Sequence, residues 1–225
     1  TQFMEEHIVK ILSVEPVTHD VRRFKIQKPP GYTFIPGQAT DVAINKPGWK
    51  DEKRPFTFTA LNDWDHLEFT IKIYPEHNGV TNQLGKLKAG DELIIHDVWG
   101  AIQYKGEGVF IAGGAGVTPF IAILRQLKKE NKIGNNVLLF SNKTRNDIIL
   151  HDEFATMLGK NFINTLTHEE VPGYDHHIID EEYLEQKIEN FDQHFYICGP
   201  DKMVAAIKSI LERLSGKNAV ITVEL

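Results

Sequence analysis

The sequence contains a single cysteine, Cys198, and this scarcity excludes two kinds of structure within the chain. No internal disulfide can form, and the four cysteine ligands of a plant-type iron–sulfur cluster are missing. One cysteine among 225 residues is also typical of a reducing, cytoplasmic setting. We therefore expect no disulfide and no iron–sulfur cluster in this chain.

Long apolar runs and an excess of basic charge are missing as well. No run approaches the roughly 20 apolar residues that span a bilayer. The opening stretch TQFMEEHIVK lacks the basic and apolar regions of a signal peptide. A formal net charge of −6 argues against general nucleic-acid binding. The histidines show no metal-ligand spacing, since the adjacent His176 and His177 would point to opposite sides of an extended segment.

Residues 1–105 carry the pattern of short β-strands. The segment LEFTIKIY (67–74) places apolar residues on alternate positions, which is typical of a half-buried strand. VRRFKI, TDVAI and DELIIHDV are further strand candidates, and proline and glycine turns separate them. Several short strands at this spacing predict an antiparallel β-barrel or a sandwich.

Residues 106–225 alternate between strand and helix patterns. The strand candidates are VFIA, VLLF, INTL and HFYIC, and the helix candidates include DEEYLEQKI and PDKMVAAIKSILERL. A helix after VFIA has one apolar face, made of Phe120, Ile123, Leu124 and Leu127. Alternating strands and helices predict a Rossmann-like parallel sheet covered by helices. The chain is therefore predicted to be a β-barrel domain followed by an α/β domain.

Two glycine-containing turns of the second half join a strand to a helix. In the first, GGAGVTP (113–119), Thr118 is the predicted N-cap and Pro119 the first helical residue. The second is CGP (198–200). Helix N-termini offer free N–H groups to phosphates, and parallel strands open at one edge, so the two turns predict a nucleotide cleft. Neither turn carries a complete Walker A or G-x-G-x-x-G motif, and tight packing is the alternative interpretation of each.

The first half holds two further candidate sites. Within Arg54-Pro55-Phe56-Thr57, the arginine can pair with a phosphate, the phenylalanine can stack on a flat ring and the threonine can bond its edge. Contact from both Phe56 and Thr57 requires a local bend, because neighbours in a regular strand face opposite sides. Gly79-Val80-Thr81 can bind a phosphate through its backbone. The alternatives are an ordinary strand and a plain turn.

Five short motifs in this order resemble those of the ferredoxin–NADP⁺ reductase family of flavoproteins. They are PGQ at 36–38, RPFT at 54–57, GVT at 79–81, GGAGVTP at 113–119 and CGP at 198–200. The resemblance covers essentially the whole chain. It implies an FAD-binding domain over residues 1–105 and an NAD(P)-binding domain over residues 106–225. It also implies hydride transfer from nicotinamide C4 of NADPH or NADH to flavin N5, and then electron transfer to a separate carrier such as flavodoxin, ferredoxin or an oxygenase component.

The resemblance further implies roles for individual residues. Arg54 would bind the flavin phosphate, Phe56 would lie against the isoalloxazine and Thr57 would bond near N5. Thr57 and Cys198 are the predicted catalytic residues, with Cys198 packing beside the nicotinamide rather than acting as a nucleophile. The predicted cofactor-binding residues are Arg54, Pro55, Phe56, Thr57, Gly79, Val80, Thr81, Gly114, Gly116, Val117, Thr118, Pro119, Ser141, Arg145, Cys198, Gly199 and Pro200.

The sequence leaves the nucleotide donor open. Ser141, Lys143 and Arg145 follow a strand and can meet the 2′-phosphate of NADPH. In contrast, Thr167-His168, beside two glutamates, stands where NADPH-preferring plant-type relatives have a Ser-Arg pair. The balance slightly favours NADPH.

Two other departures from the family bear on the flavin. Phe56 stands where relatives often have tyrosine, which keeps stacking but removes a hydroxyl. Leu225 stands where many relatives place an aromatic residue over the flavin, and we expect a more open ring face.

The partner and the exact activity also remain open in the sequence. Lys46, Lys50, Lys53 and Arg54 crowd one stretch near the predicted flavin site. They can form a docking patch for an acidic electron carrier, or they can be a solvated loop. A free-flavin or small-molecule reductase on the same fold is one alternative activity. A non-catalytic nucleotide-binding regulatory subunit is the other, and it would hold no flavin.

Overall fold

The first half of the chain folds into a six-stranded antiparallel sheet. The computed structural model describes residues 5–100 and 102–224. The sheet has the order β4-β3-β6-β1-β2-β5. Its strands are β1 (His7–Pro16), β2 (Val21–Gln27), β3 (Ala39–Ile44), β4 (Arg54–Thr57), β5 (His66–Lys72) and β6 (Glu92–Trp99).

This sheet closes on itself as a barrel. The end strands β4 and β5 meet where Phe58 forms an antiparallel bridge to Phe69, and the Thr59 N–H donates to the Glu68 carbonyl at 2.9 Å. Phe58 and Phe69 are fully buried and belong to the barrel core. The short helix α1 (Val80–Leu84) adds two buried side chains to this core.

Strand β1 was not predicted, and its pairing explains why. Its register against β2 shifts between Ile11 and Ser13, so a β-bulge interrupts the alternation. Val9 and Ile11 are buried, whereas the equally apolar Ile8 and Leu12 are 60% and 50% exposed. Adjacent apolar pairs of this kind hide the two-residue period.

The second half forms a five-stranded parallel sheet with the order β11-β10-β7-β8-β9. Its strands are β7 (Gly108–Gly113), β8 (Val137–Asn142), β9 (Phe162–Leu166), β10 (His194–Cys198) and β11 (Val220–Val223). The helices are α2 (Thr118–Lys129), α3 (His151–Leu158), α4 (Glu181–Lys187) and α5 (Asp201–Leu214). The predicted barrel and Rossmann-like sheet are thus confirmed. The boundary between residues 105 and 106 stays a prediction.

The predicted apolar face of α2 is buried in full, and the helix packs between the two halves of the molecule. Its face shares one core with Val21 of the barrel and with Ile102 of the connecting segment. The barrel and the parallel sheet are therefore joined by a common apolar interior. Within the described residues, no helix has the length and apolar character needed to cross a bilayer.

Candidate functional site

The order of the parallel sheet creates a crevice at one edge. Strand β7 lies in the middle, the next strand β8 pairs on one side of it, and β10 pairs on the other. Loops that leave the carboxyl ends of β7 and β10 therefore diverge, and open α/β sheets bind ligands at such a switch point. Both predicted glycine turns begin here.

The first glycine turn differs by one residue from its prediction. A short 3₁₀ turn (Gly114–Val117) follows β7, and α2 begins at Thr118. Val117 rather than Thr118 is the N-cap, and Pro119 is the second helical residue. The Thr118 hydroxyl donates back to the Ala115 carbonyl at 3.1 Å, which stabilises the extra turn. The N-cap prediction was therefore wrong because the 3₁₀ turn precedes the helix.

The glycines of this turn serve two different purposes. A Cβ on Gly116 would lie 2.5 Å from the carbonyl oxygen of Cys198 and 2.6 Å from Cα of Gly199, so the second turn packs directly against it. Gly114 has φ +53°, and a Cβ there would meet no atom of the described residues within 4 Å. Gly116 is thus required by turn-to-turn packing, whereas Gly114 leaves its backbone facing open space.

A cleft of about 740 Å³ runs between this edge and the barrel. The parallel-sheet half contributes Gly113, Gly114, Ala115, Gly116, Ser141, Asn142, Lys143, Asp147, Ile149, Thr167, Gly199, Pro200 and Met203. The barrel contributes His19, Asp20, Val21, Lys72 and Tyr74. The cleft therefore collects five of the predicted residues: Gly114, Gly116, Ser141, Gly199 and Pro200.

Asn142 is a cleft residue that the sequence analysis missed. Its side chain is 5% exposed, and neither atom of its carboxamide has a hydrogen-bond partner among the described residues. Buried polar groups are nearly always paired, so this carboxamide is a donor and acceptor free for a ligand. The open backbone at Gly114 and the ammonium of Lys143 complete a set that fits a dinucleotide.

Lys72 and Tyr74 form the opposite wall of the cleft and were also missed. The Lys72 ammonium lies 5.1 Å from the centroid of the Tyr74 ring and 3.9 Å from an Asp20 carboxylate oxygen. Both residues belong to the LEFTIKIY stretch, which was interpreted only as a strand. The sequence did offer one signal. Lys72 ends β5 and Tyr74 follows two residues later, and in an extended chain such side chains point to the same side.

Arg145 does not line the cleft. Its side chain is exposed, and its backbone N–H donates to a Glu169 carboxylate oxygen at 2.6 Å. Thr167 does line the cleft, and its hydroxyl lies 2.8 Å from Nδ1 of His168. The segment that contains Lys143 and Arg145 therefore lies beside the segment that contains Thr167. Of the two basic residues, Lys143 and not Arg145 lines the cleft.

A hydrogen bond between His19 and Asp147 joins the barrel to the loop after β8. His19 Nε2 lies 2.6 Å from Asp147 Oδ1, and Asp147 also accepts bonds from the Thr144 hydroxyl and backbone. The bond to Asp147 raises the pKa of His19. Burial acts to raise the pKa of Asp147, but the bonds from His19 and Thr144 outweigh it and lower that pKa. One possible metal-ligand atom from each of His19, Asp20 and Asp147 lies within 4.8 Å of the other two. The His19 imidazole nitrogen is, however, already hydrogen-bonded to Asp147.

Cys198 lies at the end of β10, against the first glycine turn. It is 9% exposed, and burial together with the charge of Glu224 raises the pKa of its thiol to about 12. The thiol is therefore neutral at physiological pH and is a poor nucleophile. Burial raises the pKa of the Glu224 carboxyl group too.

The RPFT motif forms the edge strand β4. The Arg54 side chain is 48% exposed, with its nearest carboxylate, that of Glu52, at 3.9 Å. Thr57 is half-buried and its hydroxyl makes no hydrogen bond within the described part of the chain, and Pro55 is exposed. Phe56 is half-buried on the barrel core, and its ring centroid lies 6.2 Å from that of Phe69. An available guanidinium, hydroxyl and partly exposed ring fit a flavin nucleotide.

The GVT motif begins a helix rather than an isolated turn. Gly79 is the N-cap of α1 and has no side chain that could accept a hydrogen bond from the first N–H groups of the helix. Val80 points into the barrel core, so only its backbone is available to a ligand. The first N–H groups of α1, including that of Thr81, have no partner within the helix.

Two family models match consecutive parts of the chain. The oxidoreductase FAD-binding domain matches residues 8–104, and the oxidoreductase NAD-binding domain matches residues 110–209. Leu225 and the predictions that rest on it lie outside the described residues.

Two reductases are similar in sequence to this chain over most of its length. The reductase component of propane 2-monooxygenase from Mycolicibacterium smegmatis is 29% identical over 221 residues, which cover 90% of this chain and 62% of that protein. NADH-cytochrome b5 reductase 2 from Mycosarcoma maydis is 27% identical over 228 residues, covering 92% of this chain and 64% of that protein. The chain spans about three fifths of the length of these relatives.

A solved structure has the same fold from end to end. The ferredoxin–NADP⁺ reductase of Neisseria gonorrhoeae with bound FAD and NADP superposes with a TM-score of 0.83 at 19% identity, covering 98% of this chain and 99% of that one. The two family models follow the order of the barrel and the parallel sheet. The chain therefore belongs to the oxidoreductases that join an FAD-binding domain to a following NAD-binding domain, and it has the fold of the ferredoxin–NADP⁺ reductase.

Proposed function

We propose that the protein is an NAD(P)H-dependent flavoprotein reductase that passes electrons to a separate acceptor. One observation carries the proposal: the two glycine turns of the NAD-binding domain face Lys72 and Tyr74 of the FAD-binding domain across a single cleft. FAD and nicotinamide supply the hydride and electron chemistry when bound. The protein's own task is to hold the two cofactors against each other and to limit the access of water.

On the flavin side, Arg54 binds a phosphate and Thr57 donates to the ring edge. Phe56 supports the ring with its exposed part, and Pro55 holds the strand edge free of a hydrogen-bond donor. The N–H groups at Gly79, Val80 and Thr81 bind the pyrophosphate. The exposure of Arg54 supports its role, and so does the Thr57 hydroxyl, which has no hydrogen-bond partner in the part of the chain that the structure describes.

On the nicotinamide side, the two glycine turns supply backbone N–H groups from Gly114, Gly116 and Val117 and from Gly199. Thr118 and Pro119 set the start of α2, and Pro200 does the same for α5. Cys198 packs beside the nicotinamide as a neutral thiol. Its high pKa and its contact with the first turn support a packing role.

The donor is NADPH or NADH, and Ser141 and Arg145 are the proposed contacts to the adenosine half. Lys143 joins them because it lines the cleft, whereas Arg145 would need to turn inward. A 2′-phosphate would meet two basic side chains here, which favours NADPH slightly. The nearby Glu169 and Glu170 weaken this preference.

The acceptor is proposed to be a protein. The relatives named above are a reductase component of a monooxygenase and a cytochrome b5 reductase, and flavodoxin, ferredoxin and an oxygenase component are the candidates for this chain. Lys46, Lys50 and Lys53 lie on exposed loop positions near β4. Asp51 and Glu52 lie among them and reduce the positive charge of the patch.

The visible spectrum of the purified protein tests the proposed function. We expect a flavin spectrum that bleaches on anaerobic addition of NADPH or NADH, and the faster donor identifies the preference. Reoxidation is then followed with flavodoxin, ferredoxin and free FMN. A protein that stays colourless with added FAD or FMN would overturn the proposal and leave a nucleotide-binding module. Faster reoxidation by free FMN than by any carrier would favour a free-flavin reductase.

Replacing Cys198 with alanine tests its packing role. Loss of the sulfur loosens the contact beside the nicotinamide, and we expect flavin reduction to slow about tenfold, equivalent to about 1.4 kcal/mol. Because the thiol has a pKa of about 12, the pH dependence of reduction between pH 6 and 9 should not change. Stopped-flow absorbance measures both. An unchanged rate would remove Cys198 from the site, and a lost ionisation in that pH range would contradict its neutral state.

A further inference from the structure

A buried charge network joins the two domains behind the cleft. Arg125 extends from α2 into the barrel, where its Nη1 donates to the Glu68 carboxylate at 2.6 Å and to the Thr59 carbonyl at 2.8 Å. Its Nε and Nη2 donate to the two carboxylate oxygens of Glu153 at 2.7 and 2.8 Å. The side chains of Arg125 and Glu68 are only 10% and 2% exposed. Four of the five N–H groups of the guanidinium thus donate to defined partners.

The network holds Arg125 in one orientation. Its guanidinium lies 5.4 Å from the centroid of the Trp64 ring, and the second oxygen of Glu68 pairs with Arg23 at 3.4 Å. Burial alone lowers the pKa of Arg125, but the bonds to Glu153 and the charge of Glu68 more than compensate and raise it. A planar fork with this many fixed partners is a rigid connection, which lysine cannot reproduce.

The position of Arg125 along α2 gives this connection a consequence for the cleft. The helix begins at Thr118, at the end of the first glycine turn, and Arg125 follows two helical turns or about 10 Å later. On the barrel side, Thr59 lies just two residues beyond Thr57. A single hydrogen bond, from Arg125 to the Thr59 carbonyl, therefore links α2 to the segment that follows β4. Helix α2 starts at the nicotinamide side, and β4 lies on the flavin side.

We propose that Arg125 is a positioning residue for hydride transfer, because it fixes the start of α2 relative to the strand that carries Thr57. The proposal rests on the proposed function. Arg125 does not line the cleft, and its hydrogen-bond partners among the described residues are Thr59, Glu68 and Glu153, none of which is a proposed cofactor contact. Its effect is therefore on the distance between the two sites and not on the affinity of either. A misplacement near 1 Å reduces such rates about 100-fold.

The variants Arg125→Met and Arg125→Lys test this, with Lys129→Met as the matched control. Lys129 lies one turn further along α2 and also pairs across the domains, with Asp63, but both side chains are about half exposed. We expect Arg125→Met to lower the limiting rate of flavin reduction 10- to 100-fold, with Arg125→Lys recovering part of the loss. The dissociation constants of FAD and nucleotide should change less than about threefold, and Lys129→Met should match the wild type.

Stability is measured separately so that a purely structural role can be recognised. Arg125→Met leaves Glu68 without its main partner and should lower the melting temperature of apoprotein and holoprotein by about 10 °C. Adding Glu68→Gln removes the unpaired charge, so the double variant should regain much of the melting temperature but not the rate. A rate that recovers together with stability, or a normal rate in Arg125→Met, would overturn the proposal. Failure of the wild type to bind flavin would instead refute the proposed function, whereas the stability results would stand.

Discussion

Replacing Gly116 with alanine is expected to lower the rate of flavin reduction by NADPH or NADH about 100-fold while FAD stays bound. The new Cβ would lie 2.5 Å from the Cys198 carbonyl oxygen and 2.6 Å from Cα of Gly199, well inside van der Waals contact. Both neighbours are backbone atoms and cannot move aside as a flexible side chain would. The two turns must therefore separate, at a cost of about 1–3 kcal/mol in stability.

The comparison variant is Gly114→Ala in the same turn. There the Cβ meets no atom within 4 Å, and the cost is the strain of φ +53°, about 1–2 kcal/mol. We expect a smaller loss of rate, near tenfold. Stopped-flow reduction and melting temperature are measured for both variants. If Gly114→Ala is slower than Gly116→Ala, the backbone at Gly114 matters more than the packing of the two turns, and our account of the crevice is wrong.

Replacing Arg54 with alanine is expected to weaken FAD binding about 100-fold. A bidentate guanidinium–phosphate pair contributes roughly 3 kcal/mol, which corresponds to that factor in Kd. Within residues 5–100 and 102–224, the guanidinium makes no close pair that would compete with a phosphate, since the Glu52 carboxylate lies 3.9 Å away and the guanidinium's hydrogen bond goes to the Lys53 carbonyl. Quenching of flavin fluorescence during titration of the apoprotein measures the affinity.

Lys53→Ala is the matched control for this prediction, because it removes the same charge from the neighbouring position. We expect less than a threefold change in the Kd of FAD for the control, and an intermediate value for Arg54→Lys, which keeps the charge but not the planar fork. Equal losses in Lys53→Ala and Arg54→Ala would mean that only net charge attracts the flavin. A normal Kd in Arg54→Ala would remove the residue from the phosphate site.

Local sequence patterns predicted much of the fold. The alternation in β5 and the apolar face of α2 could be identified without neighbours. The prediction that β5 is only half-buried was wrong, because Glu68 and Thr70 on its polar side are buried too. The bulge in β1 could not be identified in this way, because its extra residue breaks the two-residue period. The 3₁₀ turn before α2 could not either, because its four residues lie between the strand and the helix and move the N-cap to Val117. Tertiary contacts decide such irregularities.

The candidate site was only partly predictable for a related reason. Glycine and proline mark a strand-to-helix turn wherever it occurs, so Gly114 and Gly199 were found from the sequence. Lys72 and Asn142 carry no such mark, and they become cleft residues only when the barrel and the parallel sheet face each other. The reason for Gly116 was equally hidden, since its close neighbour is more than 80 positions away in the chain.

The shared apolar interior limits how the cleft can open. Val21 lines the cleft and also belongs to the core built around α2, so the two walls are not separate bodies joined by a hinge. A swing of one domain away from the other would expose this core to water, at about 25 cal/mol for each Å² uncovered. Nucleotide exchange is therefore expected to depend on movement of the surface loops at the cleft's rim, around His19 and Asp147. The strands and helices that bind the cofactors are expected to keep their relative positions.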